Sequence, residues 1–378
     1  MKFGTKLIHT GHEMDKSTGS LSFPIYHGST FHQEDIDQPR EYDYARSGNP
    51  TRKALEETIA LLEGGDHGYA FSSGMAATSS VLSILSAGDH ILVCEDVYGG
   101  TYRISNNYFR RFHMDITFIN ATDLDEVKNQ IKSTTKAIFL ETPSNPLLKI
   151  TDIKSVVKLA QEHGLLVFID NTFMSPYLQR PLELGVDAVI HSASKFLGGH
   201  SDIIGGLVVV KDMALAKRVY AVQNGFGAIL GPQDCWLLLR GMKTLKVRMD
   251  YQQKNAVKLA EWLTRQEEVS HVYYPGLENH PGRDIHFAQA DGPGAVLSFT
   301  TRDRERAKKF MKTVQLAAVA VSLGGVETIV SYPVKMSHAS MPVQERERLG
   351  ITDNLIRVSV GLEEIDDLIA DFKRALTI

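Results

Sequence analysis

Leu166-Val167-Phe168-Ile169-Asp170-Asn171-Thr172 and, after one connecting segment, Val186-Asp187-Ala188-Val189-Ile190-His191-Ser192-Ala193-Ser194-Lys195 decide the architecture of this 378-residue chain. Each stretch starts as an almost unbroken apolar run and ends in a knot of polar residues. A strand covered on both faces is apolar nearly throughout, whereas a strand with one wet face alternates. The same signature recurs in His90-Ile91-Leu92-Val93, Ile116-Thr117-Phe118-Ile119, Ala137-Ile138-Phe139-Leu140 and Gly206-Leu207-Val208-Val209-Val210. Helix-patterned segments lie between these runs. Residues 123–132 open on acidic side chains. Residues 152–163 set Ile153, Val156, Val157, Leu159 and Ala160 at helical spacing, and Gly164 suits the stop. Strands alternating with helices predict an α/β fold whose central sheet is mostly parallel, with helices on both faces.

From about residue 238 the pattern changes. A long amphipathic helix is expected over 255–267, then a strand over 295–300, a helix over 304–314, a strand over 356–360 and a helix over 363–376. That is a smaller C-terminal α/β unit. Residues 1–50 carry many turn residues and little periodicity, and read as an arm that packs on a neighbouring subunit. The expected division is therefore 1–50, 51–237 and 238–378.

The net charge of −4 gives no basic balance for nucleic acid, and 43% hydrophobic residues supply an ample core. Two cysteines, Cys94 and Cys235, exclude a disulfide scaffold and suit a reducing setting. Met1-Lys2-Phe3-Gly4-Thr5-Lys6 runs into polar sequence without an apolar signal core. No apolar stretch approaches the ~20 residues of a membrane helix. A cytoplasmic protein without membrane or nucleic-acid partners is expected.

The chemistry concentrates where the apolar runs end. In open α/β sheets, ligands bind beyond the carboxyl ends of the strands. Two hydroxyls and a lysine follow His191 at once, as Ser192, Ser194 and Lys195. A lysine beside a phosphate-binding hydroxyl pair is what a pyridoxal phosphate (PLP) site needs: the amine forms a Schiff base and the hydroxyls hold the phosphate. A plain surface lysine is the alternative. Asp170 closes a very apolar strand, where a carboxylate is costly without a cationic partner such as a protonated pyridine nitrogen. Asp-Asn-Thr is equally good helix-cap chemistry. Phe71-Ser72-Ser73-Gly74-Met75 precedes a helical run to Leu85 and exposes backbone N–H groups, either as a phosphate cradle or as an ordinary cap. Tyr98-Gly99-Gly100-Thr101 follows another strand and can set an aromatic ring over a flat ligand. Asn145 lies between Pro143 and Pro146, a rigid polar contact or merely a Pro-rich turn. In Ile356-Arg357-Val358-Ser359-Val360 the arginine faces away from the aliphatics, ready to clamp a carboxylate or to form an edge-strand salt bridge.

Together, Ser192-Ala193-Ser194-Lys195, Ile169-Asp170-Asn171-Thr172, Ser72-Ser73-Gly74-Met75 and Tyr44-Ala45-Arg46-Ser47-Gly48-Asn49-Pro50-Thr51 resemble the Cys/Met-metabolism family of PLP-dependent enzymes. That family includes cystathionine γ-lyases and γ-synthases, Gram-positive-type cystathionine β-lyases and methionine γ-lyases. The resemblance runs from Thr5-Lys6-Leu7-Ile8-His9 to Arg357-Val358-Ser359-Val360-Gly361. It implies the PLP-dependent transferase fold type I, aspartate-aminotransferase-like, in a homotetramer of two active dimers. It implies Lys195 as the Schiff-base lysine, Asp170 at the pyridine nitrogen and Tyr98 stacked on the ring, the three taken as catalytic. Ser73, Gly74, Met75, Asn145, Thr172, Ser192 and Ser194 resemble the rest of the cofactor site, with Asn145 at the ring hydroxyl. Tyr44 and Arg46 resemble the pair that reaches a neighbouring subunit's phosphate. Arg357, Asn145, Ser322 and Leu323, with Tyr44 and Asp43, resemble the site for a small sulfur-containing amino acid.

Two positions depart from the family pattern. Methionine γ-lyases usually carry Cys where this chain has Gly100, and many cystathionine enzymes carry Glu where it has Val321. The expected reaction is γ-elimination of L-cystathionine to cysteine, 2-oxobutyrate and ammonia, with some β-elimination and release of hydrogen sulfide. Cystathionine β-lyase, then γ-synthase or methionine γ-lyase, are the alternatives. A nicotinamide enzyme is disfavoured because no Gly-x-Gly-x-x-Gly joins a strand to a helix. No metal site is expected: His9 and His12 lack a partner set. A non-catalytic binding protein of the same fold is the rival from outside enzymology.

Overall fold

The computed structural model describes residues 1–377 apart from 12–14 and 16, so His12 lies outside the described residues. Seven strands form the larger sheet: β1 (His67–Phe71), β2 (His90–Cys94), β3 (Asp115–Ile119), β4 (Thr135–Glu141), β5 (Leu166–Asp170), β6 (Ala188–Ser192) and β7 (Gly206–Val210). Their order is β1-β7-β6-β5-β4-β2-β3. Strands β2 to β6 pair in parallel, while β7 runs antiparallel to both β6 and β1. The sheet is thus mostly parallel, as the apolar runs predict, and every residue of β2 and β7 is buried.

The helices of this half are α1 (Phe3–His9), α2 (Pro50–Glu63), α3 (Gly74–Leu82), α4 (Gly99–Asn107), α5 (Leu124–Asn129), α6 (Ile153–Glu162), α7 (Ser175–Leu178), α8 (Met213–Phe226) and α9 (Pro232–Met242). Asp152 caps α6 by accepting from the Ser155 N–H, and Gly164 takes a φ of 66° just beyond it. The connection from β5 to β6 differs from the helical one expected. It holds only the four-residue α7 and a 3-10 turn at Pro181–Leu184, because Pro176 and Pro181 interrupt it.

The second sheet contains β8 (Val269–Tyr273), β9 (Val296–Thr301), β10 (Ala318–Val319), β11 (Ile329–Ser331) and β12 (Leu355–Ser359). Its order is β10-β11-β12-β9-β8, antiparallel except for the short β10–β11 pair. It is accompanied by α10 (Leu245–Leu263), α11 (Arg283–Gln289), α12 (Arg304–Thr313), α13 (Val343–Leu349) and α14 (Ile365–Thr377). Phe310 stands edge-on between Phe299 and Phe372, at 5.5 and 5.0 Å, in a core of its own.

Helix α10 starts ten residues before the expected 255 and stops at 263 rather than 267. Its first half, with Leu245 and Met249, belongs to the larger core; its second, with Ala256, Leu259 and Leu263, belongs to the smaller one. Residue 238, where the sequence pattern changes, lies inside α9. In the arm, α1 buries Leu7, and residues 17–49 contain no helix and only the isolated bridge Thr30–Tyr44. Asn49 then caps α2, and buried Arg52 donates to the carbonyls of Ala45 and Arg46. Cys94 and Cys235 are free and buried. No helix among the described residues is long and apolar enough to cross a membrane.

Candidate active site

The carboxyl ends of β4, β5 and β6 carry Glu141, Asp170 and Ser192 side by side, with Glu141 opposite Asp170 in register. Asp170 is not a helix cap: α7 begins after Met174 and has no side-chain cap. Its Oδ1 accepts from the Thr172 N–H at 3.0 Å and the Thr172 hydroxyl at 2.5 Å. Thr172 Oγ1 in turn accepts from the Ser192 N–H at 2.8 Å, tying the ends of β5 and β6. Oδ2 accepts no hydrogen bond among the described residues. Burial raises the Asp170 pKa, against the Thr172 donors and the charges of His191 and Lys195. Behind it, buried Glu63 accepts from Asn171 at 3.1 Å and pairs with His191 Nε2 at 2.5 Å.

Lys195 follows β6 in a tight turn and donates from Nζ to Ser322 Oγ at 2.6 Å. Burial, reinforced by the Arg357 charge, pulls its pKa down to about 8; Asp170 opposes this. A pKa of about 8 leaves about a tenth of the amine unprotonated at pH 7, far more than in an ordinary lysine, and the unprotonated amine is the nucleophile. Ser322 reaches this position with a φ of 88°, a left-handed conformation costing about 1–2 kcal/mol for a residue with a Cβ. The distortion lets its hydroxyl face Lys195 while its carbonyl accepts from Arg357 at 2.7 Å. Gly324, at φ +80°, permits this approach: a Cβ there would stand 2.5 Å from the Phe196 nitrogen and 2.8 Å from the Lys195 carbonyl carbon.

Arg357 lies on β12, inside the second sheet rather than at its edge, and is 3% exposed. One terminal nitrogen donates to Asn145 Oδ1 at 2.9 Å and the other to the Ser322 carbonyl. Its Nε is buried without a partner, and no carboxylate comes within 4.0 Å among the described residues. The edge-strand salt bridge is therefore not formed. Burial pushes the guanidinium down to about 10, against Tyr98 and Glu141. A buried, incompletely satisfied guanidinium fits a carboxylate ligand.

Ser73 Oγ caps α3 by accepting from the Ala76 N–H at 3.0 Å. A Cβ on Gly74 would come within 2.9 Å of Ser192 Oγ, so glycine lets that hydroxyl lie against the first turn of α3. Ser192 Oγ makes no hydrogen bond among the described residues, whereas Ser194 Oγ is engaged with the N–H and carbonyl of Gly205. Tyr98 precedes α4 with its ring 41% exposed, and its N–H donates to Glu141 Oε2 at 2.9 Å. The ring lies over Gly100, where a Cβ would meet Tyr98 Cε1 at 2.4 Å and Met75 Sδ at 2.7 Å.

Tyr44, Arg46 and Asp43 are exposed and do not join this cluster within the chain. Arg46 packs over the Tyr44 ring and donates to Asn224, and Asp43 accepts from the Tyr44 N–H. Leu323 is buried in the larger core, and Val321 is exposed beside it. Sequence reasoning gave no role to Glu141, although it ends an apolar run as Asp170 does. It also missed His338, fully buried near Arg357, which burial lowers to about 4. No periodic pattern marks that position.

The donor set fits PLP. It offers an amine of low proton affinity, a carboxylate with one open oxygen, an exposed aromatic ring and a helix N-terminus beside a free serine hydroxyl.

Residues 4–377 match the family model described as Cys/Met metabolism PLP-dependent enzyme. A cystathionine beta-lyase of Bacillus subtilis is 57% identical over 372 residues, 98% of this chain and 95% of that one. A cystathionine gamma-lyase of the same organism is 47% identical over 376 residues, 100% of this chain and 99% of that one. The crystal structure of cystathionine gamma-lyase from Lactobacillus plantarum complexed with L-serine superposes with a TM-score of 0.97 at 50% identity, covering 99% of this chain and 98% of that one.

Proposed function

Because this chain belongs to the Cys/Met metabolism PLP-dependent enzymes and is a carbon–sulfur lyase of trans-sulfuration, we propose that it cleaves L-cystathionine by β-elimination. The products are homocysteine, pyruvate and ammonia. The observation that carries the chemistry is the Lys195 amine, drawn down to about 8 and hydrogen-bonded to Ser322. The β order draws support from the 57% identical relative, named a beta-lyase. The second reading is the γ-elimination expected from sequence, favoured by the gamma-lyase names of the relatives at 47% and 50%.

Bound PLP supplies an electron sink for the electrons left when the substrate's α-proton departs. Asp170, whose Oδ2 accepts no hydrogen bond among the described residues, would keep the pyridine nitrogen protonated. Lys195 would hold the cofactor in the resting enzyme. Its Nζ would remove the proton from the substrate's Cα. In the γ reading the same nitrogen must also move a proton at Cβ. Arg357 and Asn145 orient the substrate carboxylate, with Arg357 Nε–H as the spare donor. Tyr98 would cover the cofactor ring, and its hydroxyl would protonate the leaving sulfur. Ser73, Gly74, Met75, Ser192 and Ser194 take the phosphate, with Thr172 bracing Asp170. Val321 removes the acidic contact that would read a distal ammonium. In the assembly we envisage, a homotetramer of active dimers, the 1–50 arm carries Asp43, Tyr44 and Arg46 to a neighbour's site.

The test is the keto acid released from L-cystathionine by the PLP-loaded protein. Pyruvate with homocysteine supports the β reading, and 2-oxobutyrate with cysteine replaces it by the γ reading. Lys195→Ala should keep the fold and lose turnover; near-normal turnover would remove Lys195 from the mechanism.

A further inference from the structure

Asp170 and Glu141 end adjacent parallel strands in direct register; Glu141 is buried and Asp170 half-buried. Two carboxylates so placed do not both ionise cheaply, and one of them keeps a proton. The donors decide which. Asp170 receives the N–H and hydroxyl of Thr172 and feels the cations of His191 and Lys195. Among the described residues Glu141 receives only the Tyr98 N–H, at 2.9 Å. The other charged groups that face Glu141 are Asp96, after β2, and Arg357, on β12. Arg357 favours the anion, but Asp96 and Asp170 outweigh it together with burial, which holds Glu141 well above the carboxylate range. The same side chain is the one that fastens Tyr98. That residue opens α4 without a side-chain cap, directly over glycines that impose no conformation of their own.

We propose that Glu141 is a positioning residue that stands as a neutral carboxylic acid, anchoring Tyr98 through Oε2 and leaving Asp170 as the single anion of the pair. It sets the height of the Tyr98 ring above the sheet and preserves the charge that Asp170 offers to the pyridine nitrogen. An ionised Glu141 would instead drive the shared proton onto Asp170 and remove that charge. This inference rests on the proposed roles of Tyr98 and Asp170.

The experiment compares the holoenzyme with Glu141→Gln and Glu141→Ala. Glutamine keeps the neutral charge and the carbonyl acceptor for Tyr98, so kcat and KM should stay within about threefold of the parent. Alanine frees Tyr98, and kcat should fall roughly tenfold or more with a smaller change in KM, the pattern of a misplaced reacting partner. The circular dichroism of the cofactor's visible band should weaken in Glu141→Ala and persist in Glu141→Gln. Infrared spectra at neutral pH should show a protonated-carboxyl C=O stretch that Glu141→Gln lacks. Absence of that band from the parent, or a glutamine variant as impaired as the alanine one, overturns the proposal. The infrared and glutamine measurements hold even if Glu141→Ala does not fold. Failure of the underlying reading shows separately, as a parent protein whose visible absorbance is unchanged by Lys195→Ala.

Discussion

Lys195 is held by opposing forces that make its proton affinity measurable. Burial and Arg357 expel the proton, Asp170 attracts it, and the outcome is a pKa of about 8 in place of 10.5. Between those two values the unfolded chain holds a proton that the folded chain has lost. Stability of the cofactor-free protein therefore rises with pH from about 8 to 10.5, and the contribution is missing below 8, where burial of the ammonium costs free energy. Urea midpoints across that window should climb more steeply for the parent than for Lys195→Met. Parallel curves would show that the amine is not buried as described. Selective acylation of Lys195 should have its midpoint near pH 8, well below that of exposed lysines.

Histidines inside short elements give the same physics at lower pH. On α11, His286 donates from Nε2 to the Gly292 carbonyl at 2.9 Å, and its Nδ1 is buried without a partner. Burial lowers it to about 4 from 6.5. As pH falls through 6.5 the unfolded chain takes up a proton that the folded chain refuses, so stability is lost from 6.5 down to about 4. His286→Gln should cost about 1 kcal/mol at pH 7 and flatten that slope. Urea titrations at pH 7, 6 and 5 would check it, and an unchanged slope would refute it.

The same contrast between buried and exposed chemistry governs what the sequence revealed at the level of elements. Strands β2 and β4 to β7 were legible because burial on both faces leaves them largely apolar, and the edge strand β3 through Ile116, Phe118 and Ile119. Strand β1 was not, since His67 and Gly68 break its run, and β10 and β11 are two and three residues long. The start of α10 was hidden because its inward positions Arg248 and Gln252 are polar and read as surface. In the site, Asp170, Lys195 and Arg357 announced themselves as charges in apolar or alternating surroundings. Ser322's contact with Lys195 depends on a backbone distortion that no residue pattern encodes. The occupation of Ser194 by Gly205 is likewise a product of the loop's path.

Across the whole molecule, the larger sheet supplies Asp170 and Lys195 while Arg357 comes from the smaller one, so the site exists only while the two cores keep their relative position. Helix α10 spans both cores, and Arg248 is its fixing point. The guanidinium is 3% exposed and donates to the carbonyls of Phe196 at 2.7 Å, Leu197 at 3.4 Å and Gly241 at 2.9 Å, with Nε on Thr244 Oγ1 at 3.0 Å. Two of those carbonyls belong to the turn that carries Lys195. Gly199 closes that turn at φ +75°, where a Cβ would lie 2.1 Å from an Arg248 terminal nitrogen. No carboxylate shares the site, and burial pushes the guanidinium down to about 10. The residue is therefore retained for its geometry rather than for an ion pair. A lysine cannot reproduce the planar fork, so Arg248→Lys should leave at least one buried carbonyl unpaired and cost about 1–3 kcal/mol. Arg248→Met removes all the donors and should cost about 3 kcal/mol or more. Both variants should also release PLP faster on dialysis, because the Lys195 turn is then held from one side only. Equilibrium unfolding and cofactor release measured together decide the matter: parent-like values for Arg248→Lys in both would mean that the turn holds itself and that α10 joins the cores through apolar packing alone.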